Sequence, residues 1–289
     1  MGWLTDSITD WVKQLFIDAI MASFATMFAE VNNQVQDIAV QVGTTPAGWN
    51  AGVFAMIRAL SETVVLPIAG MILTFVLCYE LITLIIEKNN LSDFDTFNIF
   101  KWILKTFVAV FILTNTFNIV IGVFDLAQQA VNQSAGLISG SLGLGSDAMT
   151  DIIRASLEVM GVGELLGLFF EVQIVRLCML IMSVIIMIIV WGRMLEIYLT
   201  VSVAPIPFAT MANREWGQIG NNYLKSLFAL AFQGFLIMVC VAIYAVLVSG
   251  IAVSDNMHAI IWSIAGMTAL LSFILLKTGG IARSLFHAH

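Results

Sequence analysis

The sequence predicts an all-α, polytopic membrane protein. Of its 289 residues, 60% are hydrophobic and only 11% are charged, and the mean hydropathy is +0.97. Soluble domains contain about 45–50% apolar residues, so a water-soluble fold of this length cannot bury so many apolar side chains. The apolar residues also form runs of about 20, the length that a helix needs to cross a hydrocarbon core of about 30 Å.

Charge and cysteine content exclude several functions. The formal charge is −7, and the 12 basic residues form no dense cluster of the kind that coats nucleic acid. The three cysteines, Cys78, Cys178 and Cys240, lie within apolar runs and are typical of buried thiols rather than of disulfides or a metal site. No basic segment precedes a short apolar core at the start of the chain, so we expect no cleavable signal peptide.

The N-terminal region, residues 1–61, predicts amphipathic helices outside the membrane. Apolar residues recur every three or four positions over residues 8–38, with charged residues between them. Such a helix lies on a membrane surface or against a bundle. The alternative is a membrane span from Trp11 to Phe28, which requires Lys13 and Asp18 to be paired inside it.

Five later runs predict transmembrane helices, two within residues 62–125 and three within residues 172–289. Basic residues are more frequent between spans one and two, between spans three and four, and after span five than in the other connections. By the positive-inside rule, the N-terminus lies outside and the C-terminus in the cytoplasm. The predicted spans are Val64–Ile86, Trp102–Phe124, Val172–Gly192, Ser226–Ser249 and Ala259–Lys277.

The segment between spans two and three, residues 126–171, is expected outside the membrane. It contains a flexible Gly and Ser stretch, 135–146, followed by a helical pattern over 147–170. We expect this helix and the N-terminal helix to pack on each other, on sister subunits or on an outer partner. Each has an apolar face that five spans leave uncovered.

A second apolar stretch, residues 194–208, follows the third span. As a sixth span it would place most of the later basic residues outside, so we interpret it as an oblique continuation of the third helix or a re-entrant elbow. Arg193 and Glu196, three residues apart, are expected to form a local ion pair. We define the elbow as residues 193–225.

Two prolines shape the elbow. Pro205 and Pro207 remove backbone donors and stop the helix where its carbonyl groups can meet water or protein. Arg214 and Glu215 then begin a polar surface that is a candidate cytoplasmic docking site, and Trp216 is placed as an interfacial anchor. The following sequence GQIGNN predicts a turn.

Polar side chains within the predicted spans are candidates for either helix association or a wet passage, because lipid disfavours them. We expect Glu80 to be paired or protonated, and Asn115 and Asn118 to share one helix face. The set comprises Glu80, Asn115, Asn118, Arg176 and Gln233.

Enzyme signatures do not occur in the sequence. It has no zinc-protease, hydrolase-nucleophile or Walker motif and no CxxC pair. The segment GLGSDA, residues 143–148, matches a dinucleotide-binding pattern, but no predicted strand precedes it. We therefore predict no catalytic residue, cofactor or metal.

The elbow also carries a family resemblance. The block PIPFATMANREWGQIGNNYLKSLFALAFQGFLI, residues 205–237, together with the five spans, the amphipathic N-terminal region and the outer segment, resembles the TrbL family. Members of that family are polytopic membrane subunits of type IV secretion machines. The compact C-terminus is most similar to versions from conjugative elements of Gram-positive bacteria.

This resemblance implies a non-enzymatic channel or scaffold subunit, forming a homo-oligomer through or beside which DNA and attached protein leave the cell. The transferred nucleoprotein would contact it only transiently, and separate cytoplasmic ATPases would supply energy. The alternative is a secondary transporter or ion channel. That class predicts paired broken helices around a mid-membrane site, whereas this sequence has one break.

Overall fold

Helices form nearly the whole of the computed structural model, which describes residues 2–86, 96–138, 147–251 and 256–288; no strand occurs in these ranges. The all-α prediction is confirmed. A π-helical turn, Ser61–Val65, joins the third and fourth helices. The α-helices are α1 (Gly2–Gly43), α2 (Pro46–Trp49), α3 (Ala51–Leu60), α4 (Leu66–Ile86), α5 (Thr96–Thr114), α6 (Thr116–Ile138), α7 (Asp147–Val159), α8 (Val162–Val203), α9 (Pro205–Thr210), α10 (Gly217–Ile251) and α11 (Met257–Leu285).

Six helical runs in the described ranges are long and apolar enough to cross a membrane. This confirms the polytopic class and adds one candidate, the N-terminal helix, to the five predicted spans. The expectation that residues 1–61 lie outside the membrane stays a prediction. The six runs are Ser7–Gly43, Ala51–Ile86, Phe97–Thr114, Val162–Val203, Gly217–Ile251 and Met257–Leu285.

The predicted second span, residues 102–124, is divided at Asn115 into α5 and α6. The side-chain amide of Asn115 donates to the carbonyl oxygen of Phe111 at 2.9 Å. The hydroxyls of Thr114 and Thr116 likewise bond back to the preceding turn. Such back-bonding competes with the helix and bends it, so three consecutive polar residues explain the division.

The predicted outer helix over 147–170 is also divided. It consists of α7 and the first residues of α8, with a break before Val162. The Glu164 carboxylate accepts a hydrogen bond from the Gly161 backbone N–H at 3.0 Å, which satisfies one donor at the start of α8. Of the predicted Gly and Ser stretch, residues 139–146 lie outside the described residues.

The chain forms two compact units, and the first comprises Met1–Gly43, Val131–Val190 and Leu236–Thr278. In this unit α1 packs on α7 and on α8. The Phe16 and Phe169 rings lie 6.0 Å apart, and the Gln173 amide donates to the Ser23 hydroxyl at 3.2 Å. The expected packing of the two amphipathic regions on each other is confirmed.

Charged groups join α1 to α7 in the same unit. The Lys13 ammonium donates to the backbone carbonyl of Glu158 at 2.6 Å, and the Arg154 guanidinium lies 3.5 Å from the Asp18 carboxylate. Lys13 and Asp18, the two charged residues of the alternative span Trp11–Phe28, therefore have partners.

The second unit comprises Thr44–Ala130, Trp191–Phe235 and Gly279–His289. One apolar cluster contains buried residues of α3, α6, α8, α9 and α10, among them Phe117 and Leu227. The Tyr198 hydroxyl donates to the Pro46 carbonyl at 2.7 Å. A second cluster joins α4 and α5 to the elbow, which makes this unit the support of the candidate site.

Candidate functional site at the proline elbow

The helix break within the elbow lies where α8 ends at Val203, as the prolines predict. Pro205 and Pro207 have no N–H to donate to the carbonyls of Val201 and Val203, four residues earlier. The Ala204 N–H instead bonds the Val201 carbonyl at 3.3 Å, one residue closer. The chain then continues as α9, because proline is compatible with the first turn of a helix. The break between α8 and α9 is thus a single residue, Ala204.

The polar turn of the elbow covers residues 211–216 and is organised by Asn213. Its buried side-chain oxygen accepts hydrogen bonds from the backbone N–H groups of Glu215, at 2.7 Å, and Trp216, at 3.3 Å. Its backbone carbonyl accepts from the Gly217 N–H at 2.8 Å. Asn213 therefore satisfies donors ahead of α10.

The predicted turn over GQIGNN is wrong, because α10 begins at Gly217. Gly220 is instead a close-contact position. A Cβ added there would lie 2.7 Å from the Pro207 carbonyl oxygen and closer still to the Met211 side chain. The absence of a side chain lets the first turn of α10 pack directly on α9.

The elbow is fixed against α4. Ala209 and Ala212 lie in one buried cluster with Leu73 and Val76 of α4. The Trp216 ring stacks on the ring of Phe75, with centroids 5.6 Å apart, and on the ring of Tyr79, at 5.7 Å. Trp216 therefore packs against α4. Its predicted role as an anchor at the membrane–water interface stays a prediction.

Two charged residues of the elbow face outwards. Arg214 and Glu215 are both exposed. The Tyr79 hydroxyl lies 3.4 Å from the Glu215 carboxylate, which leaves most of that carboxylate to solvent. The polar turn of the elbow thus presents one cation and one anion on a packed support, an arrangement suited to an ionic contact with another protein.

Glu80, predicted to be paired or protonated, contacts the Lys105 ammonium of α5 through one carboxylate oxygen. Its other oxygen is buried without a hydrogen-bond partner, as are the Trp102 indole N–H and the Thr106 hydroxyl. Buried polar atoms of this kind are commonly satisfied by ordered water. The pair joins α4 to α5.

The remaining intramembrane candidates do not converge on one site. Asn115 is half-buried and bonded within its own helix, whereas Asn118 is exposed. Arg176 is half-buried in α8. Gln233 is buried, and its amide nitrogen lies 3.3 Å from the position of a Cβ added to Gly279 of α11.

The expected ion pair between Arg193 and Glu196 is wrong. Glu196 contacts the Arg283 guanidinium of α11 instead. Arg193 is 5% exposed, and its Nε has no hydrogen-bond partner. Tertiary packing of α8 against α11 brings a distant arginine to Glu196, and no local spacing predicts this.

Sequence reasoning also missed a polar contact in the first unit. The Glu171 carboxylate lies 2.5 Å from the His258 imidazole and accepts from the Trp262 indole N–H. These residues are distant along the chain. They meet because the first part of α8 lies beside the first part of α11. Within the described residues, no group of three or more His, Cys, Asp or Glu side chains is placed to hold a metal ion.

Comparison with known families gives one match. The model of the TrbL/VirB6 plasmid conjugal transfer like proteins matches residues 31–205, more than half of the chain. The chain belongs to this family and is a multi-pass membrane component of a conjugal transfer, type IV secretion, system. No curated protein and no solved structure matches it.

Proposed function

We propose that the chain is a channel or scaffold subunit that helps DNA and its attached protein cross the cell membrane, and that the elbow is its docking surface for cytoplasmic subunits. Exposed Arg214 and Glu215 on a packed support are the observation that carries the docking role. A surface held by Trp216 stacking and Asn213 hydrogen bonds changes little on binding, which favours recognition.

The docking partner that fits this surface is a cytoplasmic ATPase of the same machine. The sequence contains no nucleotide-binding motif that would let it power transport itself. Basic residues of the elbow and of the last part of α11, Lys277 and Arg283, favour a cytoplasmic position for the elbow and the C-terminus, with the N-terminus outside. The subunit itself catalyses no reaction in this account.

Self-association is the second part of the proposal. α5 is almost unburied over its apolar run, Phe97–Thr114, of which 6% is buried. Large apolar side chains are exposed on several of its faces, and Phe100, Leu104, Phe107 and Phe111, spaced three or four residues apart, share one of them. Copies of the chain that contact one another in the membrane would cover part of this surface.

The proposed function is tested by deleting the gene from its conjugative element and restoring it on a plasmid. DNA transfer should be lost on deletion and return with the parent chain, while cell growth and membrane integrity stay normal. Undiminished transfer in the deletion strain, with the protein absent from its membranes, contradicts the proposal.

A further inference from the structure

Over its middle part, the N-terminal helix α1 exposes only small and polar side chains, and the polar ones are concentrated between Asn33 and Asp37. Between residues 16 and 39, none of its large hydrophobic side chains is exposed; those that are exposed elsewhere in its described part are Ile8, Trp11, Leu15 and Val40. The buried residues include Ile17, Ile20, Phe24, Met27, Val31, Val35 and Ile38. The exposed positions in the same stretch are Asp18, Ala22, Ala25, Ala29, Asn33, Gln36 and Asp37.

These exposed positions share one side of the helix. From Ala22 to Gln36 they recur at intervals of three or four residues, the spacing of one α-helical face, and Asp37 lies four residues after Asn33. We call this surface the Asn33 face, comprising Ala22, Ala25, Ala29, Asn33, Gln36 and Asp37. It carries a carboxylate, two amides and small side chains, and no basic residue.

α8 lies beside α1 and runs in the same direction. The contacts of Phe16 with Phe169 and of Ser23 with Gln173 advance together along both helices. Both helices rise about 1.5 Å per residue, so Asn33 and Asp37, ten and fourteen residues beyond Ser23, are level with residues 183–187 of α8.

The exposed surface of α8 at that level is apolar. Its run has the highest mean hydropathy of the six candidate spans, 2.7, whereas that of α1 has the lowest, 1.4. Such a surface suits lipid. The exposed large side chains of α8 in this part are Ile174, Leu177, Leu180, Ile181, Val184, Met187 and Ile188.

Two helices at one depth therefore present opposite surfaces. Lipid accepts the exposed face of α8 but disfavours the carboxylate and amides of the Asn33 face. We propose that the Asn33 face borders water at membrane depth, as a wall of the passage that assembled copies enclose. This inference rests on the proposed function and names the surface that it uses.

The chemistry of this wall limits what it does to the cargo. DNA phosphates are held by Lys and Arg side chains, and the Asn33 face has none, while Asp37 repels phosphate. A passage bordered by this face lets nucleic acid pass without binding it.

The parallel packing of α1 and α8 constrains the membrane topology. If α8 runs from the outside to the cytoplasm, α1 crosses in the same direction and the N-terminus lies outside. Residues 44–161 must then return across the membrane once, so α3–α4 and α5–α6 do not both cross completely.

The inference is tested with nitroxide labels on the full chain, freed of its three cysteines and placed in vesicles of phosphatidylethanolamine and phosphatidylglycerol. Single cysteines at Asn33 and Asp37 report on α1, and those at Ile181 and Ile188 on α8. Collision rates with oxygen, which concentrates in lipid, and with a water-soluble nickel chelate are measured at each site. The buried Val35 position is the control for a site that neither reagent reaches.

We expect oxygen collisions to dominate at both α8 sites and nickel collisions to dominate at both α1 sites. The ratio of the oxygen rate to the nickel rate should therefore be high on α8 and low on α1. Oxygen dominance at Asn33 and Asp37 would show that this face meets lipid. Protection from both reagents would show that protein covers it, and nickel dominance at the α8 sites would place the segment outside the membrane. Each of these three results overturns the inference.

Failure of this inference can be separated from failure of the proposed function. DNA transfer is measured with the same cysteine-substituted chains in the deletion strain. If transfer depends on the chain but the collision ratios do not invert, only the assignment of the Asn33 face is wrong.

Discussion

Replacing Gly220 by alanine tests whether the close contact between α9 and α10 holds the elbow together. The added methyl would sit 2.7 Å from the Pro207 carbonyl oxygen, well inside ordinary contact distance. The Met211 side chain can move aside, but the carbonyl oxygen belongs to the backbone of α9. The first turn of α10 must therefore shift.

The size of the effect comes from two opposing contributions. Alanine is favoured over glycine in a helix interior by about 1 kcal/mol, whereas overpacking a close contact costs about 1–3 kcal/mol. The difference between the two is about 0–2 kcal/mol. Because the clash is with a backbone oxygen rather than a flexible side chain, we expect Gly220→Ala to lie in the upper half of this range and to lower the free energy of unfolding by about 1–2 kcal/mol. Gly217→Ala is the matched control, because the nearest atom to its added Cβ is the Met211 carbonyl oxygen, at 3.6 Å.

The assay is thermal unfolding of the detergent-solubilised protein, followed by tryptophan fluorescence. The chain has seven tryptophans, and the contribution of Trp216, which stacks on Phe75 and Tyr79, is isolated by comparison with a Trp216→Phe version of each variant. For a chain of 150–250 residues, 1 kcal/mol moves the melting midpoint by about 2–4 °C. The Gly220 variant should melt a few degrees below the parent, and the Gly217 variant at or above it.

Equal midpoints for the parent and the Gly220→Ala variant would refute the reasoning, because the contact would then relax at no cost. A similar loss in both variants would also count against it. Such a loss would report a general sensitivity of the start of α10 rather than the specific contact with Pro207.

Three further predictions address burial, packing and orientation. Arg193→Met should leave the melting midpoint unchanged or raise it, since it removes a buried charge with an unpaired Nε; a fall would indicate a partner that stabilises the guanidinium. In a chain freed of its own cysteines, Ser23→Cys with Gln173→Cys should be joined by a short bifunctional maleimide, which spans the length of the lost glutamine side chain, since the native side chains are hydrogen-bonded; no cross-linked product would contradict the packing of α1 on α8. A single cysteine at Ser141 should react with an impermeant thiol reagent on intact cells, and one at Ser284 should not; labelling at Ser284 would reverse the orientation.

The end of α8 could be predicted from the sequence, but the shape of the elbow could not. A proline lacks the N–H that a continuing helix needs, whatever surrounds it, so Pro205 fixed the boundary. The helical conformation of α9 and the role of Gly220 depend on tertiary contacts. The pair of glycines in GQIG suits a turn as well as a helix packed closely on its neighbour, and only the position of the Pro207 carbonyl decides between them.

The partners of charged residues likewise depend on tertiary contacts and could not be predicted from the sequence. The sequence favoured Arg193 as the partner of Glu196 because it is near, yet Glu196 contacts Arg283, 87 residues away. Glu80 was expected to need a partner, and its partner, Lys105, lies 25 residues further along the chain. The need for neutralisation follows from burial in an apolar run, whereas the identity of the partner follows from helix packing.

The family could be predicted, although the sequence block that suggested it lies almost wholly outside the part that the family model matches, and only the pattern of spans and outer segments lies within it. The quoted block, residues 205–237, begins where the match, residues 31–205, ends. The amphipathic pattern of α1 was interpreted as a surface helix, because a helix on a membrane and one beside a wet passage both alternate polar and apolar faces. The proposal that α1 borders a wet passage rests on its packing along α8, which the amphipathic pattern by itself does not predict.

The docking role of the elbow is tested most directly by the DNA transfer frequency of an Arg214→Glu variant in the deletion strain. Arg214 is exposed, so reversing its charge should leave the fold and the membrane level unchanged. Lys277→Glu, at an exposed basic residue of α11 that lies outside the elbow, is the matched control. We expect a marked loss of transfer for Arg214→Glu and near-normal transfer for Lys277→Glu. Normal transfer by Arg214→Glu at normal membrane level would contradict it.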